Sequence, residues 1–126
     1  MRTLILIALL ALSFNASAGD TISDEFTFPY FLENKDLYQL CDSEEDQRFC
    51  VYYLIGVYEG LLSQQSFAAS RGGRKYICIP PNGITSDELT LTYLKYVRNN
   101  PAFLREPAWM AVSNALVAAF RCGDAQ

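Results

Sequence analysis

Histidine is missing from the chain altogether, which removes the side chain most often used as a general base near neutral pH. Ser-His-Asp and Cys-His chemistry fall with it, together with the common zinc ligand sets. The four cysteines, Cys41, Cys50, Cys78 and Cys122, do not restore those options, because no two stand at the C-x-x-C interval of a zinc site or a thioredoxin-like redox pair. No metal or organic cofactor is expected. A basic stripe is lacking too: ten Lys and Arg face fourteen Asp and Glu, and a net charge of −4 repels nucleic acid overall. Arg71-Gly72-Gly73-Arg74 has neither the G-K-[ST] ending nor the strand-to-helix setting of a phosphate-binding loop. What remains for catalysis is a carboxylate pair, with Glu59, Asp87, Glu88 and Glu106 as raw material. Asp87 and Glu88 are accounted for by a helix start, and no enzyme activity is expected.

Long apolar runs are absent as well. Leu4 to Leu12 is unbroken but far shorter than the roughly 20 residues of a membrane span. Arg2 before it and Ala16-Ser17-Ala18 after it give the order of a secretory signal, cut after Ala18. The chain is therefore expected to act outside the cytosol, free of the membrane once residues 1–18 are removed. The remainder is one domain's worth of sequence, with no repeat or linker to divide it. All four cysteines lie in it, and an even count in a short exported chain implies two disulfides.

Residues 19–33 begin acidic and turn aromatic, with Phe26, Phe28, Tyr30 and Phe31, and are expected to form an extended arm over the core. From Asn34, a residue suited to capping, Leu37, Tyr38 and Cys41 share one helical face. Ser43 with Asp46 resembles a capping box and predicts a second helix, whose stripe Cys50, Tyr53, Leu54, Val57, Leu61 and Leu62 marks it as the central element. Gly56 and Gly60 lie four apart on it and leave a groove for a close-packed backbone. A helix of the same chain is the default occupant of that groove, and a second copy of the chain is the alternative. An exposed loop at Arg71 to Lys75, a short extended piece at Tyr76 to Ile79 and a corner at Pro80 to Gly83 follow. Thr85 with Glu88 caps a third helix through Leu89, Tyr93 and Val97, which closes at Asn99-Asn100-Pro101. A fourth, alanine-rich helix is predicted from Pro107 to Cys122, with Gly123 as its stop.

The fold class is thus all-α, a small bundle of about four helices stapled by two disulfides, with at most a short extended segment. Sequence leaves three disulfide pairings open. If neighbouring helices run antiparallel, Cys41 meets Cys50 at one end of the bundle and Cys78 meets Cys122 at the other, and that pairing is favoured.

The order Leu37-Tyr38-x-Leu40-Cys41, Cys50-x-x-Tyr53-x-x-Gly56, Ile77-Cys78-Ile79-Pro80, Asn100-Pro101 and Ala119-Phe120-x-Cys122 resembles the Rap/Tai immunity proteins of type VI secretion. The likeness makes 34–126 an immunity domain. It implies a periplasmic protein, often a homodimer, that binds and blocks a secreted peptidoglycan amidase effector. Under that reading a rigid loop enters the effector's cleft. Two polar stretches are candidates for the contact: Arg71, Arg74 and Lys75 in one, and Arg98, Asn99, Asn100 and Arg105 in the other. The alternative function is a periplasmic acid-stress chaperone that opens when its carboxylates are protonated.

Overall fold

A computed structural model describes residues 32–123. The leader expected at 1–18, and the arm expected at 19–33 apart from Leu32 and Glu33, lie outside the described residues. Four α-helices follow one another: α1 (Asn34–Asp42), α2 (Gln47–Ala69), α3 (Ser86–Asn99) and α4 (Ala108–Ala119), with a 3-10 turn at Pro101–Arg105 before the last. Among the described residues the extended pairings are two isolated antiparallel bridges, Glu33 with Pro107 and Ile77 with Arg121. The molecule is a small all-α bundle.

The helix starts show where local chemistry yields to packing. At α3 the capping box forms in full: Thr85 Oγ1 accepts from the Glu88 N–H at 3.2 Å, and the Glu88 carboxylate accepts from the Thr85 N–H at 2.8 Å. Those donors, the Thr85 backbone first and its hydroxyl second, hold the Glu88 carboxyl below its ordinary range. At α2 the start differs from the expectation. Residues 44–46 form a turn and the helix opens only at Gln47, although Ser43 Oγ still accepts from the Asp46 N–H at 3.4 Å. Cys41 and Cys50 are bridged with Cα atoms 5.0 Å apart, so the chain must reverse between them, and residues 43–46 make that reversal.

Asn34 is likewise not a cap. It is the first residue of α1 and has no exposed surface. Its side-chain amide donates to the Phe103 carbonyl at 3.0 Å, while its side-chain oxygen accepts from the buried Tyr93 hydroxyl. The tertiary partners outbid the local capping role, because a buried amide left unpaired is costly. One side chain thereby ties α1 to α3 and to the 3-10 turn.

The core is built from Leu37, Leu54, Tyr93, Leu94, Val97, Ala108, Ala111, Val112 and Leu116. The small buried residues of α4 let it sit close against α2 and α3. The predicted run of α4 to Cys122 is cut short at Ala119. Beyond it, Phe120 O accepts from the Cys78 N–H at 2.8 Å and the Cys122 N–H donates to Tyr76 O at 3.3 Å, so residues 120–122 are extended against 76–78. Cross-chain pairing replaces the final helical turn.

Cys78 is joined to Cys122. The two disulfides therefore sit at opposite ends of α2, one at its start with α1, one beyond its finish with the end of α4. This is the pairing that antiparallel neighbours require.

Candidate functional site

The loop that leaves α2 is exposed and held by a series of backbone and side-chain contacts. After Ala69 the chain turns back on itself. Arg71 N–H and Gly73 N–H both donate to Ala68 O, at 3.0 and 2.9 Å, and Gly72 N–H donates to Ala69 O at 3.1 Å. Gly72 adopts a φ of +84°, a conformation other residues rarely reach. A Cβ on Gly73 would stand 2.8 Å from Ala68 O, so that position also requires glycine. The Arg71 guanidinium lies 4.0 Å above the Phe67 ring, a cation–π contact that folds the arginine back along α2.

The far foot of the loop is held by Gln65, only 5% exposed. Its amide oxygen accepts from the Tyr76 and Ile77 N–H groups at 2.8 and 2.7 Å, and its amide nitrogen donates to Ile77 O at 2.8 Å. One buried side chain thus takes the place of a neighbouring strand. With the Cys78–Cys122 bridge one residue further on, the loop is fixed at both ends. Between them Arg71, Arg74 and Lys75 are exposed, and none of the ion pairs among the described residues involves them. The Ile77–Arg121 bridge brings a fourth exposed cation to this end of the bundle. Sequence reading missed Arg121. Its only signal was the disulfide pairing, which sets the residue before Cys122 across from the residue before Cys78.

The second polar stretch lies at the other end. Arg98 donates to Asp42 at 3.0 Å and to the Tyr38 hydroxyl at 3.2 Å, which clasps α3 to α1. The Asn100 side chain donates to Tyr96 O at 2.8 Å and finishes α3. Asn99 and Arg105 are exposed. α2 has 23 residues and so spans about 34 Å, which separates the two stretches by most of the length of the bundle. The structure sets Arg121 across from Ile77, two residues after Lys75, and places Arg71, Arg74 and Lys75 at the other end of α2 from Arg98, Asn99, Asn100 and Arg105.

Gly56 and Gly60 correct an expectation. A Cβ placed on either meets no atom within 4 Å, so among the described residues no other helix fills the groove between them. α2 turns Cys50 and Leu54 to the core and leaves both glycines facing outward. Phe49 and Tyr52, each 65% exposed, and Phe67, 58% exposed, are also at the surface of this helix.

The four carboxylates named from the sequence are distributed over several elements. Glu59 lines a cavity of about 220 Å³ with Ile55, Tyr58 and Ile84, and Glu88 borders a second one of about 360 Å³, also lined by Ile84, with Leu91, Lys95 and Phe120. Asp87 lies in the first turn of α3, and Glu106 sits beyond the 3-10 turn. Among the described residues no cluster of three or more His, Cys, Asp or Glu could hold a metal ion, and no helix is long and apolar enough to cross a membrane.

Residues 33–122 match the family model of the Rap1a immunity proteins. No curated protein and no solved structure matches the chain. The matched span runs from the bridge at Glu33 to the second half of the last disulfide, and so takes in every element of the bundle.

Proposed function

Because the chain belongs to the Rap1a immunity protein family, and so is an immunity protein of the type VI secretion system, we propose that it works in the periplasm after its leader is removed. There it binds a peptidoglycan-cleaving amidase effector and occludes its cleft rather than performing chemistry of its own. The observation that carries this reading is the Arg71 to Lys75 loop: exposed, cationic, and fixed by Gln65 and a disulfide before any partner arrives. A loop ordered in advance loses little conformational entropy on binding, which favours a tight, slowly dissociating inhibitor. The Arg98 to Arg105 stretch is the weaker candidate, since Arg98 and Asn100 are already engaged inside the domain.

The outward groove at Gly56 and Gly60, with Phe49, Tyr52 and Phe67 at the surface of the same helix, suits a second copy of the chain. Small residues there let two helices approach closely. Sedimentation of the wild type against Gly56→Leu tests this: the variant should shift toward monomer, and an unchanged distribution would remove the groove from the interface.

Hydrolysis of peptidoglycan by the amidase, followed with increasing amounts of this protein, tests the main proposal. Stoichiometric inhibition is the expected outcome. Retained inhibition by an Arg71→Glu, Arg74→Glu, Lys75→Glu triple variant would exclude the loop. The acid-chaperone reading has less support. Among the described residues no carboxylate is fully buried, so acid has only surface pairs and one capping box to dissolve.

A further inference from the structure

The cavity of about 360 Å³ is a groove between α3, the Pro80 to Ile84 corner and the end of α4. Pro80, Ile84, Leu91, Ala119 and Phe120 line it together, and Leu91 is 63% exposed, so the apolar surface here is a continuous patch and not a lone side chain. Its walls are fixed. Gly83 takes a φ of +78° and its N–H donates to Pro80 O at 2.8 Å, while Phe120 O accepts from the Cys78 N–H at 2.8 Å beside the Cys78–Cys122 bridge. Two charged side chains border the groove, seven residues apart on α3. The Glu88 carboxylate is engaged, accepting from the Thr85 N–H at 2.8 Å and from the Thr85 hydroxyl at 3.0 Å. Lys95 is exposed, and none of the ion pairs among the described residues involves it. The groove therefore offers apolar contact beside one unengaged cation.

We propose that this groove is the second half of the effector contact: it takes an apolar side chain of the effector that carries a carboxylate beside it, and the carboxylate pairs with Lys95. The proposal rests on the immunity reading. Area and continuity select the occupant. A stable interface covers about 800 Å² on each partner, a patch roughly 30 Å across, which is far more than the five residues from Arg71 to Lys75 supply. Pro80 follows Lys75 by five residues, at most about 18 Å along the chain, so the groove falls within the footprint of an effector seated on the loop. Chemistry agrees. The loop gives charged contacts but no apolar anchor, whereas the desolvated centre of an interface is apolar and is built on side chains that fill pockets. Ile84, Leu91 and Phe120 provide that pocket, and Lys95 at its border selects an anion next to the anchor.

The test is the affinity of the oxidised protein for an immobilised peptidoglycan amidase, read by surface plasmon resonance beside an inhibition assay. Leu91→Ser should weaken Kd about tenfold and Lys95→Glu by a similar factor, chiefly through faster dissociation. Both residues are exposed, so the fold does not depend on them, and circular dichroism verifies this. Leu91→Met keeps the apolar bulk and should bind within about twofold of the wild type. Lys35→Glu on α1 makes the same change in net charge away from the groove and should also stay within about twofold. Wild-type affinity in both Leu91→Ser and Lys95→Glu, with inhibition intact, overturns the groove and leaves the immunity reading standing. A wild type that inhibits no amidase tried overturns that reading and the groove with it. An equal loss in Lys35→Glu and Lys95→Glu reduces the effect to net charge and overturns the carboxylate contact. A Leu91→Ser protein lighter in sedimentation than the wild type gives the groove to a second copy, and one that binds the amidase more tightly gives it to a segment of this chain; either overturns the proposal.

Discussion

Replacing Gln65 by leucine keeps the volume of the side chain and removes its hydrogen bonds. Three backbone groups lose their partner: the N–H groups of Tyr76 and Ile77 and the carbonyl of Ile77. Ile77 is 2% exposed, so water cannot replace the amide at that residue without opening the loop. An unpaired buried group costs about 1–3 kcal/mol, and the half-buried Tyr76 N–H falls at the low end or below, which places the whole change at about 2–5 kcal/mol. The Cys78–Cys122 bridge limits how far the loop can peel away to relieve this cost. Urea unfolding under oxidising conditions gives the stability, and hydrogen exchange at the Tyr76 and Ile77 amides gives the local opening. Gln64→Leu is the control, since Gln64 is exposed and bonds only the Tyr76 hydroxyl. A Gln65→Leu protein as stable as that control, with both amides still protected, would refute the clamp.

Loss of the Cys78–Cys122 bridge, which closes a separation of 44 residues, should cost about 4 kcal/mol, against about 3 kcal/mol for Cys41–Cys50 at a separation of 9; paired serine variants in chemical denaturation compare the two. Asn34→Ala strips partners from both the Tyr93 hydroxyl and the Phe103 carbonyl, and calorimetry should show a loss of about 2–4 kcal/mol, whereas a neutral result would mean that water enters there freely. Burial pushes the Tyr93 phenol well above its ordinary range, so the unfolded chain ionises first: stability holds below about pH 10 and falls as pH rises beyond it, while Tyr93→Phe flattens that alkaline limb. Gly73→Ala meets the Ala68 carbonyl and should destabilise the loop, whereas Gly56→Ala meets nothing and should add about 1 kcal/mol of helix stability in a dilute thermal melt.

The elements legible in sequence were those whose cause is local. Thr85 and Glu88 satisfy each other within one turn, and the Leu89, Tyr93, Val97 spacing needs no knowledge of its partners. Asn34 shows the opposite case. Its residue type suits a cap, but its hydrogen bonds go to residues 59 and 69 positions away, and no local pattern encodes those. The end of α4 failed for the same reason, because residues 120–122 pair with 76–78 rather than with the preceding turn. Gly56 and Gly60 were legible as a groove but not as an outward one: α2 is apolar around much of its circumference, so periodicity alone did not say which side faced the core. In the candidate site, Arg71, Arg74 and Lys75 could be read from a charged Gly-Gly turn. Gln65 could not, since a glutamine on a helix ordinarily points to water and this one acts across the fold.

The most direct trial is survival of cells in which a type VI peptidoglycan amidase is directed to the periplasm, with this chain supplied either complete or without residues 1–18. The complete chain should prevent lysis and the leaderless chain should not, because the inhibitor must fold, oxidise and bind where the amidase acts. Equal protection by the chain without residues 1–18, or lysis unaffected by residues 1–126 with every amidase tried, would contradict the proposed disulfide-held periplasmic inhibitor.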